Sequence, residues 1–447
     1  MGATANLTIG RTAPLSRALW LAEEATVLFA FVLSNIRVMV CYREAISRPA
    51  SCTYLSAWEE MQAWALLFAF TTMIMWRRRQ LGSAATVLRR NWPIVLFIGL
   101  AAASLGWTIN PPATIYRLAI LIGSTWLSVY LALTHTLRGI LQRIAVYGAV
   151  VIFASLVAGL LFPGAGISDP ELYGNAWRGA YWHRNYLGSS MALFAMVHLF
   201  RLLGNGHNRA SEVVMDALGW VLACALVVLS RSITGVILLV SLHAATILCA
   251  AWVRWHSSMR LAHYAAIAIV ILAAAGALLA NIDAVLAAVG RESSIVWRRT
   301  LWTYLYEERI QENALLGNGF GAIWETDSFG YRIAEEHGWR YPVYMSDSGY
   351  IDTALHLGFV GLAVAALTVG FGAARAIAVL RAEKSILSAF PLVVTVYFLL
   401  TNVTLSYLLE LESFAWVLLV TTLCAADVPV WERSTLVVKP TSSRIWQ

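Results

Sequence analysis

About twelve times along its length the chain runs apolar for roughly 18 to 24 residues before charge or turn residues stop it. The runs fall at about 20–40, 57–76, 92–109, 113–134, 139–162, 186–203, 213–230, 232–252, 262–282, 350–372, 386–409 and 411–428. A helix that crosses a bilayer needs about 20 such residues. The runs therefore predict an all-α polytopic membrane protein with about twelve transmembrane helices. Composition agrees: with 59% hydrophobic and 13% charged residues in 447 and a mean hydropathy of +0.67, the chain is neither a set of soluble domains nor one anchor carrying a large soluble part.

The formal net charge of +7 invites a nucleic-acid reading, but the placement of the basic residues excludes it, because most of them flank apolar runs. Arg77, Arg78, Arg79, Arg89 and Arg90 crowd one short loop, the usual mark of a cytoplasmic face. With both termini cytoplasmic, the inner segments hold 19 of the 32 basic residues. Trp76, Trp92, Trp107, Trp252 and Trp255 stand at run ends, where interfacial aromatics sit. The residues before Glu23 and Glu24 lack the apolar core of a cleavable signal, so the first helix is expected to be an uncleaved signal anchor.

The expected organisation is nine membrane helices over 1–282, a long periplasmic loop over 283–349, three more helices over 350–428 and a cytoplasmic tail over 429–447. The loop is long enough to fold and is the expected seat of chemistry. Arg291 to Asn313 reads as an amphipathic helix, with Trp302, Leu305 and Ile310 on one side and Glu307, Glu308 and Glu312 on another. Gly317-Asn318-Gly319-Phe320-Gly321 ends it as a turn. Cys41 and Cys52 share the first outer loop and are either a disulfide or two free thiols. No cysteine or histidine cluster has metal-ligand spacing, so no metal or other cofactor is assigned.

Ions near membrane depth are functional candidates because they are costly there. Arg117 lies about one turn inside the fourth run and either joins a site or snorkels to the headgroups. Trp177 to Gly188 sets Arg178, His183, Arg184 and Asn185 among aromatic rings at a span start. Paired arginine donors suit phosphate oxygens, and ring faces suit sugars. Arg231 occupies the turn Ser230-Arg231-Ser232, while Arg291 and Arg298 are spaced to share one face of the loop helix. A solvated charged face would explain that spacing; four outer segments that each present arginines to one surface would suit an anionic lipid headgroup.

Gly290-Arg291-Glu292, Arg298-Arg299-Thr300-Leu301-Trp302 and Leu315 to Gly321 resemble the signature of the O-antigen ligase and polymerase superfamily of bacterial membrane glycosyltransferases. Trp177 to Gly188 is similar to a pattern of its exopolysaccharide-polymerase branch, and Trp107 to Arg117 resembles an early tryptophan, proline and arginine stretch. After the loop the family has a histidine, a small polar residue and a glycine pair in the next helix. Ser348, Gly358 and Gly361 keep that spacing, with Asp347 in the histidine position and Trp297 where a glycine is expected before Arg298. Arg231 takes the family's basic position if the preceding serine is Ser230; with Ser232 that position is Ile233.

The resemblance implies a GT-C-like fold and transfer of a glycan from a polyprenyl (undecaprenyl) pyrophosphate carrier to an acceptor at the periplasmic face of the inner membrane, without metal. Its partners would be the lipid-linked glycan donor, a glycan acceptor and the bilayer, with chain-length regulators or export proteins beside them and no nucleic acid. Asp347 is the expected base and Arg298 the expected catalytic arginine. Arg291, Arg231, Arg178, His183, Arg184, Asn185 and Arg117 are the expected substrate-binding set. His337, Asp352 and His356 are spare candidates for the base, and Asp347 or Ser348 would cap the helix that follows. Polymerisation of repeat units is the leading expectation and ligation to lipid A-core or protein the alternative. A transporter or flippase of an anionic solute is the rival from another class, and it would need charges near the midplane on broken helices.

Overall fold

A computed structural model describes residues 17–34, 57–168, 174–204, 209–255, 292–324, 326, 329–339, 341–406 and 414–426. The expected span at 262–282, the cysteine pair Cys41 and Cys52, and Arg291 lie outside these residues. Within them the regular structure is helical, and one antiparallel bridge joins Ile167 and Trp177.

The helices run in order as α1 (Arg17–Leu33), α2 (Ala57–Arg77), α3 (Leu81–Arg90), α4 (Trp92–Ala103), α5 (Pro111–Thr134), α6 (Leu137–Leu161) and α7 (Arg184–Leu203). There follow α8 (Ala210–Leu229), α9 (Ile233–Trp255), α10 (Glu292–Leu305), α11 (Phe329–Glu336), α12 (Gly349–Glu383), α13 (Phe390–Thr404) and α14 (Phe414–Ala425). Among the described residues seven helices are long and apolar enough to cross a membrane: α5 to α9, α12, and α13 with the turn before it. The chain is thus a polytopic helical membrane protein. Helices α1, α2, α4 and α14 coincide with expected runs but do not meet that standard of length and hydropathy. The arginine-rich segment after α2 contains a helix of its own, α3, which the sequence reading leaves as loop.

Local chemistry explains where the helices start. Asn110 accepts from the Ala113 amide before the Pro111-Pro112 opening of α5, and Thr136 accepts from the Gly139 amide at α6. Each satisfies one of the amide groups that a helix start leaves without an intrahelical partner. Helix α5 packs against α2 and α14, α7 packs against α8 and α9, and α13 touches α9, α12 and α14 to join the two groups. Small residues allow one close crossing. A Cβ on Gly235 of α9 would come within 2.7 Å of Gly188 Cα on α7, the kind of close approach that small residues permit between membrane helices.

The long helix α12 is broken at Gly358, where φ is 64° and ψ is −166°. That region is essentially open to glycine alone, and a Cβ there would meet the Leu315 carbonyl oxygen at 2.2 Å. The break frees backbone groups, and the 314–319 loop takes them up. Phe359 and Val360 amides donate to the Ala314 and Leu315 carbonyls at 2.8 and 3.1 Å, while the Asn318 and Gly319 amides donate to the Leu355 and His356 carbonyls at 3.0 and 2.9 Å. The glycine-rich turn expected to end the loop helix therefore also completes a span about 40 residues later.

The amphipathic helix is present with a difference. Helix α10 ends at Leu305, and a π-helical turn continues over Tyr306–Ile310. Leu301, Leu305 and Ile310 are buried, whereas Glu307, Glu308 and Glu312 are exposed. The widened turn keeps Ile310 on the buried side.

Candidate functional site

The loop helix and the start of α12 bring the two expected catalytic residues into contact. Arg298 Nη2 donates to Asp347 Oδ2 at 3.1 Å. The Nε of Arg298 is buried and makes no hydrogen bond among the described residues. Burial pushes the Asp347 carboxyl above its ordinary range, and Arg298 opposes that shift by charge and by hydrogen bond. Asp347 itself has φ 55°, the left-handed region that aspartate visits more readily than bulkier residues.

Neither residue expected to cap α12 does so. Ser348 holds the cap position without a side-chain cap bond. Its hydroxyl donates instead to the Asn402 carbonyl at 3.3 Å. The flanking residues are held from three directions. Trp302 Nε1 donates to the Ser346 carbonyl at 2.8 Å, and the Gly349 amide donates to the Leu405 carbonyl at 3.0 Å. Asp352 Oδ1 accepts from Trp324 Nε1 at 2.9 Å and from the Ser346 amide at 3.2 Å. Asp352, a spare base candidate in the sequence, is only 2% exposed and is occupied in holding the segment that displays Asp347. Trp324 carries no recognisable motif and was missed.

A second group gathers at the start of α7. His183 Nδ1 accepts from the Asn185 amide at 3.2 Å, so His183 caps that helix. Asn185 Oδ1 accepts from Ser232 Oγ at 2.9 Å, and Arg184 Nη1 donates to the Arg231 carbonyl at 3.3 Å. Arg231 has φ 49° and donates to the Gly174 carbonyl at 2.6 Å; Arg178 donates to the Gly164 carbonyl at 3.3 Å. This group meets the first through Tyr186, whose hydroxyl donates to Met345 Sδ at 3.4 Å, two residues before Asp347. Thr234 and Thr404, 3.0 Å apart, tie the start of α9 to the same end of α13.

Arg117 sits under the glycine turn, where a Cβ on Gly321 would meet its Cδ at 1.9 Å. The stretch before it docks on the same turn: Trp107 Nε1 donates to the Leu316 carbonyl at 3.1 Å, and the Ile109 amide donates to the Asn318 carbonyl at 3.0 Å. His356 is buried with Nδ1 3.2 Å from the Gly319 carbonyl oxygen. His337 stacks on Trp339 with centroids 4.8 Å apart. Among the described residues no three His, Cys, Asp or Glu side chains gather closely enough to hold a metal ion.

The stretch that contains α9, the Arg298–Asp347 pair and the break in α12 resembles a known family. Residues 218–366 match the O-antigen ligase family. The match supports placement in the O-antigen ligase and polymerase superfamily and a glycosyltransferase-like activity of ligase or polymerase type. Both Asp347 and Gly358, the glycine at which α12 breaks, lie inside the matched stretch. No curated protein matches the chain.

Proposed function

We propose that the chain is a multi-pass inner-membrane glycosyltransferase whose site faces the periplasm. It polymerises oligosaccharide repeat units carried on polyprenyl (undecaprenyl) pyrophosphate into exopolysaccharide or O-antigen. The observation that carries the reading is the Arg298–Asp347 contact at 3.1 Å, inside the matched stretch.

In this reading the bond between the donor sugar's anomeric carbon and the pyrophosphate breaks, and the acceptor hydroxyl oxygen forms the new glycosidic bond. The hydroxyl proton passes to Asp347, and polyprenyl pyrophosphate leaves with the negative charge. Arg298 serves both ends of that exchange. It pairs with Asp347, and a bound pyrophosphate draws its guanidinium to the phosphate oxygens, where fixed donors stabilise developing charge. Asp347 loses the neighbour that lowers its pKa, and burial then makes it a stronger base. Arg184 and Arg231, on the neighbouring helix starts, supply further positive charge for the donor, and Arg117 and Arg178 extend the basic lining. Arg291 is the further donor-binding arginine of this reading.

The broken span favours no solute path. The groups freed at Gly358 are bonded to the 314–319 backbone, whereas a transporter would use such groups on its solute. The test is to incubate the purified chain with a lipid-linked repeat unit alone. Longer lipid-linked glycans are expected. Product that appears only after a lipid A-core or protein acceptor is added assigns ligation instead, and no transfer to either acceptor contradicts the reading.

A further inference from the structure

At the end of the bundle away from Asp347, two of the basic residues near the first helices are neutralised. Arg78 pairs with Glu23 at 2.6 Å, and Glu23 also accepts from Tyr130 at 2.6 Å. Arg143 pairs with Glu24. Arg77 and Arg79 differ: both are exposed, and among the described residues neither side chain has an acidic or hydrogen-bonding partner. They line a cavity of about 510 Å³ with Trp76, Leu81 and Gly82. Trp76 is 68% exposed at the end of α2.

Helix α5 fixes where this cavity lies. Near its first turn stand Thr114, bonded to Thr108, and Arg117 beneath Gly321, beside the candidate site. Near its last turn Gln80 Nε2 donates to the Leu133 carbonyl at 3.3 Å, one residue from Arg79. A helix of 24 residues spans about 36 Å, so the cavity and the site sit at opposite membrane faces. The short helix α3 then leads back into α4.

We propose that this cavity binds the headgroup of an anionic phospholipid, with the phosphodiester held by Arg77 and Arg79 and the acyl–headgroup boundary resting on Trp76. Unpaired arginines offer planar paired donors to phosphate oxygens, and an interfacial tryptophan places the cavity at headgroup depth. Paired Arg78 and Arg143 fix the helices beside it, so the site is built before the lipid arrives. The proposal rests on the membrane assignment alone and stands whether or not the chain transfers glycans.

Native mass spectrometry of the full-length chain, released from micelles doped with phosphatidylglycerol or with phosphatidylcholine, tests it. The parent chain should bind the first phosphatidylglycerol roughly tenfold or more tightly than phosphatidylcholine, the scale expected of two basic residues at an anionic headgroup. The double variant Arg77→Gln/Arg79→Gln should lose that preference. Gly82→Phe should lose it too, without changing a charge, since a Cβ at Gly82 meets nothing within 4 Å and a larger side chain fills the cavity. Arg89→Gln, outside the cavity lining, should keep it. The proposal is overturned if both cavity variants retain the parent's preference, or if Arg89→Gln loses as much as the double variant, which would mean diffuse surface attraction. Displacement of phosphatidylglycerol by millimolar inorganic phosphate would also overturn it, by assigning a free-anion site.

Discussion

Helices α7 and α12 both start at the same end of the bundle, and both have a polar residue in the cap position. At α7 His183 makes the cap bond to the Asn185 amide at 3.2 Å. At α12 Ser348 makes none, its hydroxyl turns to Asn402, and Asp347 reaches Arg298. The start of α12 is held instead by groups around it: Trp302 on the Ser346 carbonyl and Asp352 on the Ser346 amide. A residue freed from capping and given a partly buried, charged partner is available for chemistry. A residue engaged in its own helix start is a structural part, whatever its side chain could do elsewhere.

The first way to break this contrast is at Arg298. Arg298→Ala should lower transfer by about 100- to 1,000-fold, the usual loss when a donor to developing charge is removed. Arg299→Ala, at an exposed neighbouring position, should leave the rate near the parent's. Equal small losses at both would make α10 a solvated charged face. Asp352 gives the next effect. Asp352→Ala leaves Trp324 Nε1 and the buried Ser346 amide without their acceptor, at about 1–3 kcal/mol for each unsatisfied group. The melting midpoint should fall and transfer should weaken with it, and Asp352→Asn should recover much of both.

The pH profile sharpens the comparison. A base must be ionised, and the Asp347 pKa is raised, so transfer should fall on the acid side with a midpoint above the ordinary carboxylate value of 3.8. That limb should vanish from whatever residual rate Asp347→Asn retains. The smallest effect is at α7. His183→Ala should cost about 1 kcal/mol of stability, and His183→Asn should restore it, because the position needs only a side-chain acceptor. Loss of transfer in a well-folded His183→Asn would place His183 on the substrate instead.

Much of the membrane architecture was legible because a span is written in about 20 contiguous residues. Run and helix agree at 113–134 with α5, at 139–162 with α6 and at 213–230 with α8. The run at 350–372 stops short of α12, which continues to Glu383; its last residues include alanines, arginines and a glutamate, good helix formers that are not all apolar. The π-helical turn at 306–310 and the union of the Gly358 break with residues 314–319 depend on partners distant in sequence, so no local pattern announces them. The Arg298–Asp347 contact was accessible through the resemblance, because both residues occupy motif positions. The roles of Trp324 and Asp352 were not, since capping and clamping use the same residue types and differ only in what they touch.

Asp347→Ser is the most direct test of the central claim that Asp347 is a base and not a cap. Serine is as good a cap as aspartate but cannot accept the acceptor's proton, a loss worth roughly 100- to 10,000-fold in rate. The measurement is elongation of a lipid-linked repeat unit by purified Asp347→Ser, with the melting midpoint recorded on the same sample. The account predicts a midpoint close to the parent's and almost no longer glycan. A variant that elongates as fast as the parent would contradict it.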